Sequence, residues 1–119
     1  MSAQLNIRAV DDVTVVGFGD RSKLDASTVD EISGALLGLV AAGSRPRIVL
    51  DMVDVHFVSS PALSLLLSLR RAADDAGGEV VLCALRSEVQ RLLRITRLDK
   101  VFLSFDTLEA ALARFRPSA

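Results

Sequence analysis

Phe57-Val58-Ser59-Ser60-Pro61-Ala62-Leu63 is the stretch on which the reading of this chain turns. It leads into a leucine-rich run that continues to Ala76. Pro61 fixes its own φ and lacks an N–H, so it suits the first turn of a helix, where that donor has no partner to lose. With Pro61 at the first helical position, Ser60 is the expected N-cap. A cap alone is the commoner role for a serine-proline pair in this place. At about 100° per residue, Ala62, Leu65, Leu66, Leu69, Ala72, Ala73 and Ala76 share one face and are expected to be core. Ser60, Ser64, Ser68, Arg71 and Asp75 form the opposite, polar stripe. Leu63 and Leu67 fall between, beside Ser60. They read either as part of a docking patch or as residues covered by a neighbouring loop.

Working outward, Arg47-Ile48-Val49-Leu50-Asp51-Met52 is a short apolar strand ending in an acid, and Val53 to Val58 reads as a loop. Downstream, Gly77-Gly78 stops the helix, and Glu79 to Ala84 is a second buried strand. Ser87 with Gln90 reads as a capping box opening a third helix, with Val89, Leu92, Leu93 and Thr96 facing inward. Val101 to Phe105 is a last strand, and Asp106 with Glu109 caps a final helix carrying Leu108, Ala111, Leu112 and Phe115. Upstream, Leu5 to Val10 alternates as a half-buried strand, and Asp11-Asp12 turns it into Val13 to Phe18. Gly19 to Asp25 is a polar loop. Ser27 with Asp30 then caps a first helix that buries Val29, Ile32, Leu36 and Val40 and stops at Gly43. The order β-β-α-β-α-β-α-β-α predicts an α/β fold: a mostly parallel sheet of four to five strands, an antiparallel opening pair and about four helices.

Composition narrows the chemistry. The chain has 119 residues, half of them apolar, and reads as a single domain over residues 1–119. One Cys and one His exclude an internal disulfide, a CxxC zinc site and a multi-histidine metal site. Fourteen basic residues against 15 acidic ones, with no Trp or Tyr, leave little footprint for nucleic acid. No apolar run reaches the roughly 18 residues that a membrane span needs. The start of the chain lacks the pattern of a signal peptide, so cytoplasmic localisation is expected. Ser60 with His56 is a poor hydrolase pair: only four residues separate them and no GxSxG elbow is present. Gly17-Phe18-Gly19 is an incomplete phosphate loop. Arg86, Arg91, Arg94 and Arg97 cluster around the third helix, as a solvated face or as a surface for an acidic partner. No enzyme activity, metal or cofactor is expected.

The quoted stretch, taken with its surroundings, resembles the STAS domain family, the fold of bacterial anti-sigma factor antagonists and of the C-terminal region of sulfate transporters. Ile48-Val49-Leu50-Asp51 matches the family's strand ending in Asp, and residues 57–63 match its serine motif before a leucine-rich helix. Lys23-Leu24-Asp25 matches the Leu-Asp before the first helix, and Leu98-Asp99-Lys100-Val101-Phe102 resembles the family's tail. The chain departs from the motif at three places. Ser59 stands where the family has an acid, Ala62 where it has glycine, and Pro61 where it has a small residue.

The resemblance implies a non-enzymatic switch. Unphosphorylated, the antagonist binds an anti-sigma factor that is itself a serine kinase. That kinase phosphorylates the serine matching Ser60, with Ser59 as the fallback acceptor, and a metal-dependent protein phosphatase reverses the step. Asp25, Ser60, Leu63, Ser64 and Leu67 are the expected partner-binding residues, with Asp25, Asp51 and Asp54 expected near Ser60 to add repulsion to a phosphate. The alternative is a STAS scaffold, either in a multi-STAS sensory complex or docked on the ATPase of an ABC lipid transporter.

Overall fold

Ile48-Val49-Leu50 is too apolar to face water on either side, and it forms the middle of the sheet. In the computed structural model, which describes residues 5–19, 21–41 and 45–116, the elements follow in the order β1 (Asn6–Val10), β2 (Val13–Gly17), β3 (Lys23–Leu24), α1 (Ala26–Ala41), β4 (Arg47–Asp51), β5 (Phe57–Val58), α2 (Ser60–Asp75), β6 (Glu79–Cys83), α3 (Ser87–Ile95), a 3₁₀ turn (Leu98–Lys100), β7 (Ser104–Phe105) and α4 (Leu108–Arg114). The main sheet runs β1-β2-β4-β6-β7. Among the described residues only β1 and β2 are antiparallel; the remaining pairs are parallel. The α/β architecture with an antiparallel opening pair and four helices is therefore as expected. Asp11 turns β1 into β2 with φ 54°, a left-handed conformation that Asp tolerates.

The two faces of the sheet bury different helices. Val16, Ile48, Leu50, Val80 and Leu82 share a core with α1, α2 and α3. Alternate residues point the other way, as the period of a strand requires. Val13, Val15, Val49, Val81 and Cys83 pack with Ala111 of α4, joined by Phe105, Leu108, Leu112 and Phe115. Ile32, Leu36 and Val40 of α1 are buried, and Ala62, Leu65, Leu66, Leu69 and Ala73 of α2 are buried, on the faces read from the sequence.

Several boundaries differ from the sequence reading. Lys23–Leu24 and Phe57–Val58, both read as loop, pair in parallel as a separate two-stranded sheet. Two residues each are too few to show an alternating pattern. The first helix is capped by Asp25, whose Oδ1 accepts from the Thr28 N–H at 3.0 Å, so Ser27 lies inside the first turn. Gly43, the expected stop, lies outside the described residues. Ser87 does not cap α3 either. Arg86 is the N-cap residue without a side-chain bond, and Gln90 Nε2 donates to the Leu85 carbonyl at 3.0 Å. Thr96 faces outward as the C-cap, its hydroxyl donating to Leu92 O at 2.8 Å. The last strand shortens to Ser104–Phe105, because the chain first makes a 3₁₀ turn that buries Phe102. Thr107 rather than Asp106 caps α4, accepting from the Ala110 N–H at 3.1 Å.

Gly77 and Gly78 are needed for different reasons. Gly77 has φ 79°, and a Cβ there meets only Arg45 Cγ at 3.5 Å. At Gly78 a Cβ would overlap the Pro46 backbone, where Glu79 N donates to Pro46 O at 2.8 Å to begin the β4–β6 pairing. Gly77→Ala is expected to cost about 1–2 kcal/mol, the penalty of a left-handed non-glycine residue. Gly78→Ala is expected to cost more, about 3 kcal/mol, because backbone rather than a side chain must move. Urea unfolding of the two variants measures the order; equal costs contradict the close approach at Gly78.

Candidate functional site

The site is built where two helices begin side by side. The Leu24–Val58 pair closes the small parallel sheet, and Ser59 N donates to Leu24 O at 2.9 Å. One residue beyond each strand, Asp25 and Ser59 cap α1 and α2. Two helix N-termini thus open next to each other, each with partly positive unpaired N–H groups.

The serines divide the work differently from the sequence reading. Ser59, half-buried, is the N-cap of α2: its φ is −77° and ψ 168°, and its Oγ accepts from Ala62 N at 3.3 Å. Ser60 is the first helical residue and Pro61 the second. The shift of one position arises because a proline is equally at home at either of the first two positions, where the N–H has no intrahelical acceptor. Ser60 is exposed, and its hydroxyl makes no hydrogen bond among the described residues.

Around Ser60 the expected residues fall into two groups. Asp25 lies at the neighbouring helix start, exposed. Hydrogen bonds from the Thr28 backbone and hydroxyl hold its carboxyl below the usual aspartate range. Ser64 is exposed one turn along α2, and Leu67, 36% exposed, follows. Leu63 is corrected: it is only 9% exposed and belongs to the core, so it supports this surface from beneath.

Asp51 and Asp54 line a different recess. Asp51 shares its register with Gly17 and Cys83 and so points to the α4 side of the sheet, away from α2. Both acids line a recess of about 310 Å³ with Asn6, Arg8, Gly17 and Phe18. His56 pairs with Glu88, Nδ1 to Oε2 at 3.3 Å. Burial, aided by Asp51, pushes the Cys83 thiol up to about 12, so it stays protonated and inert near neutrality. The sequence reading missed an apolar groove on the α3 side of β5, lined by Phe57, Leu92 and Ile95. The outward isoleucine of an otherwise basic helix was the available signal.

Two measurements separate these roles. Ser59→Ala is expected to lower stability by about 1 kcal/mol through loss of the cap. Ser60→Ala is expected to change it by less than about 0.5 kcal/mol; the reverse order in urea unfolding would put the cap at Ser60. Because the Asp25 carboxyl titrates below its unfolded value, its contribution is present above about pH 4 and is lost as pH falls through the lower, folded value. Asp25→Asn should flatten that acid limb of the stability profile and leave the region above pH 6 parallel to the parent.

Comparison with known proteins places this geometry. A family model for the STAS domain matches residues 4–111. A Bordetella bronchiseptica protein provisionally named as the anti-sigma factor antagonist BtrV is 28% identical over 93 residues, which is 78% of this chain and 79% of that protein. The crystal structure of an anti-sigma factor antagonist from Mycobacterium paratuberculosis is 27% identical, with a TM-score of 0.83 over 98% of this chain and 100% of that one. The Bacillus cell fate determinant SpoIIAA, solved in its phosphorylated form, shares the fold at 18% identity, with a TM-score of 0.73 over 95% of this chain and 100% of its own. With the family model spanning every element from β1 to the first turn of α4, the chain belongs to the STAS domain family.

Proposed function

We propose that this chain is an anti-sigma factor antagonist, acting as one STAS domain in the bacterial cytoplasm. It binds a serine-kinase anti-sigma factor while Ser60 is unmodified and is released when that kinase phosphorylates Ser60. The names of the Bordetella and Mycobacterium relatives support the class of function. The observation that carries the choice of residue is the division between the serines. Ser59 is committed to Ala62 N, whereas the Ser60 hydroxyl is exposed and unbonded. The altered motif is consistent with this, because Ser59 replaces the family's acid while still supplying an N-cap oxygen. Asp25, Ser64 and Leu67 complete the partner-facing surface.

The chemistry belongs to the partner. The kinase moves the γ-phosphoryl group of ATP to Ser60 Oγ, ADP leaves, and the hydroxyl proton passes to a base of the kinase. A metal-dependent phosphatase hydrolyses the ester. This chain catalyses neither step. It contributes an accessible nucleophile and a surface whose fit to the partner changes with charge. Phosphate adds roughly −1.5 to −2 charges. In the free protein water solvates that charge, but in the complex it must be stripped of water or matched by the partner. A loss of about 2.7 kcal/mol lowers affinity about a hundredfold.

The test uses affinity capture with the tagged chain, mass spectrometry of partners and phosphosites, and reconstitution with ATP. The expected result is a serine-kinase anti-sigma factor and a single phosphate on Ser60. Ser60→Ala should accept no phosphate. Ser60→Asp should weaken the complex about a hundredfold at an unchanged thermal midpoint. Phosphate on Ser59 would move the switch by one residue, and equal binding by Ser60→Asp and the parent would remove it. Recovery of an ABC-transporter ATPase or a multi-STAS assembly with Ser60 unmodified would replace the antagonist with a scaffold.

A further inference from the structure

Directly before the two serines, β5 turns an apolar edge toward α3. Phe57 is 50% exposed and Ile95 is 69% exposed, the most exposed large apolar side chain among the described residues. Between them, Val58, Val89 and Leu92 line a groove of about 250 Å³ with Arg91 at its rim. This is below the roughly 300–1,000 Å³ of small-molecule sites, and the groove is open along its length. Its shape suits side chains carried on a partner's backbone. The α3 wall presents Val89, Leu92 and Ile95 at successive intervals of three residues, the ridge spacing against which another helix packs.

Charge selects what kind of helix. The whole chain is net −1, but the segment from Arg86 to Lys100 carries five cations and only two acids. Arg91 and Arg94 are exposed and form no ion pair among the described residues. Glu88, at the groove's end, is already engaged by His56 at 3.3 Å and by the Ser87 hydroxyl at 3.3 Å. The charge left facing an occupant is positive. An arginine beside an apolar floor matches a carboxylate beside an apolar ridge.

We infer that the groove between β5 and α3 is a docking site for an amphipathic, acidic helical segment of a partner protein, distinct from the surface around Ser60. From the proposed function it takes only that the chain binds a protein; it holds whether or not Ser60 is modified. A partner that seated a helix here would approach along Phe57 and Val58, whose strand leads straight to Ser60. Two points of attachment would then bind one partner, and loss of the one at Ser60 would leave the groove too weak to hold it alone.

The test needs no kinase. The ¹⁵N-labelled full chain is titrated with a synthetic helical peptide of about 14 residues, with leucines at i, i+3, i+4 and i+7 flanked by glutamates. A second peptide carries lysines in place of the glutamates. The acidic peptide should shift the amides of Phe57, Val58, Val89, Leu92 and Ile95 and bind about tenfold more tightly than the lysine peptide. Ile95→Asp, at a solvent-exposed position, should abolish those shifts with the rest of the spectrum unchanged. Arg91→Glu should reverse the preference between peptides. No binding by either peptide, equal binding by both, or shifts centred on Leu37 or Leu67 would overturn the inference. Failure to find a kinase partner would leave this result standing, and failure here would leave the Ser60 switch standing.

Discussion

A single backbone hydrogen bond, from the Ser59 N–H to the Leu24 carbonyl at 2.9 Å, fixes how the two helix starts at the candidate site are assembled. It extends the parallel pairing of two strands that are only two residues long. Such a pair has no stability of its own. It persists because Leu24 and Val58 are buried in the larger core, so burial holds the backbones in register and the register places the helix starts. The same pairing carries His56 N and Phe57 N onto the Ser22 carbonyl, at 2.7 and 3.1 Å. Asp25 and Ser59 then cap adjacent helices, and Ser60 is carried outward on the first turn of the second. Shifting this register by one residue would exchange buried and exposed positions in both short strands.

The layering of the domain follows from strand order. β2, β4, β6 and β7 are laid down in one direction across the sheet. Right-handed crossovers made in one direction put every connecting helix on one face. α1, α2 and α3 accordingly share one core. The opposite face needs a cover that is not a connection between parallel strands, and the chain beyond β7 supplies one. α4 does so with Ala111, Leu108, Leu112 and Phe115. It does not reach the carboxyl ends of β2 and β4, and there Asp51 and Asp54 meet Asn6 and Arg8 in a separate polar recess.

Much of this was legible in the residues. The strands around Val15, Val49 and Val81 and the inner faces of α1, α2 and α4 follow from apolar period alone, because burial repeats over enough residues to reveal it. Features set by one or two residues were not legible. Ser59 and Ser60 are chemically equivalent cap candidates, and only backbone angles separate them. Leu63 lies at the border of the inner arc of α2, and its burial depends on what packs beside it. The side of Asp51 is a matter of parity, which depends on the exact strand register: Asp51 is on the odd side of β4, while α2 covers the even side. The groove beside α3 needs β5, an element too short to read from the sequence.

The placement of Ser60 also bears on why the proposed charge switch is compatible with a stable fold. The start of α2 offers unpaired N–H groups and a favourable dipole, worth about 0.3–1 kcal/mol to an exposed anion. Asp25, at the start of the neighbouring helix, opposes this with its own negative charge, itself held on by the Thr28 donors. In water at physiological salt, exposed charges interact weakly, so these opposing effects are small and close to balance. The same two groups behave differently once a partner excludes water. The effective dielectric falls, and the repulsion between a phosphate on Ser60 and the Asp25 carboxylate rises in proportion. The dipole attraction rises in the same proportion, so what tips the balance is the cost of stripping water from a dianion, which neither helix end repays. Modification at this position would therefore act on the complex and spare the domain, and that asymmetry comes from setting two capped helix starts side by side.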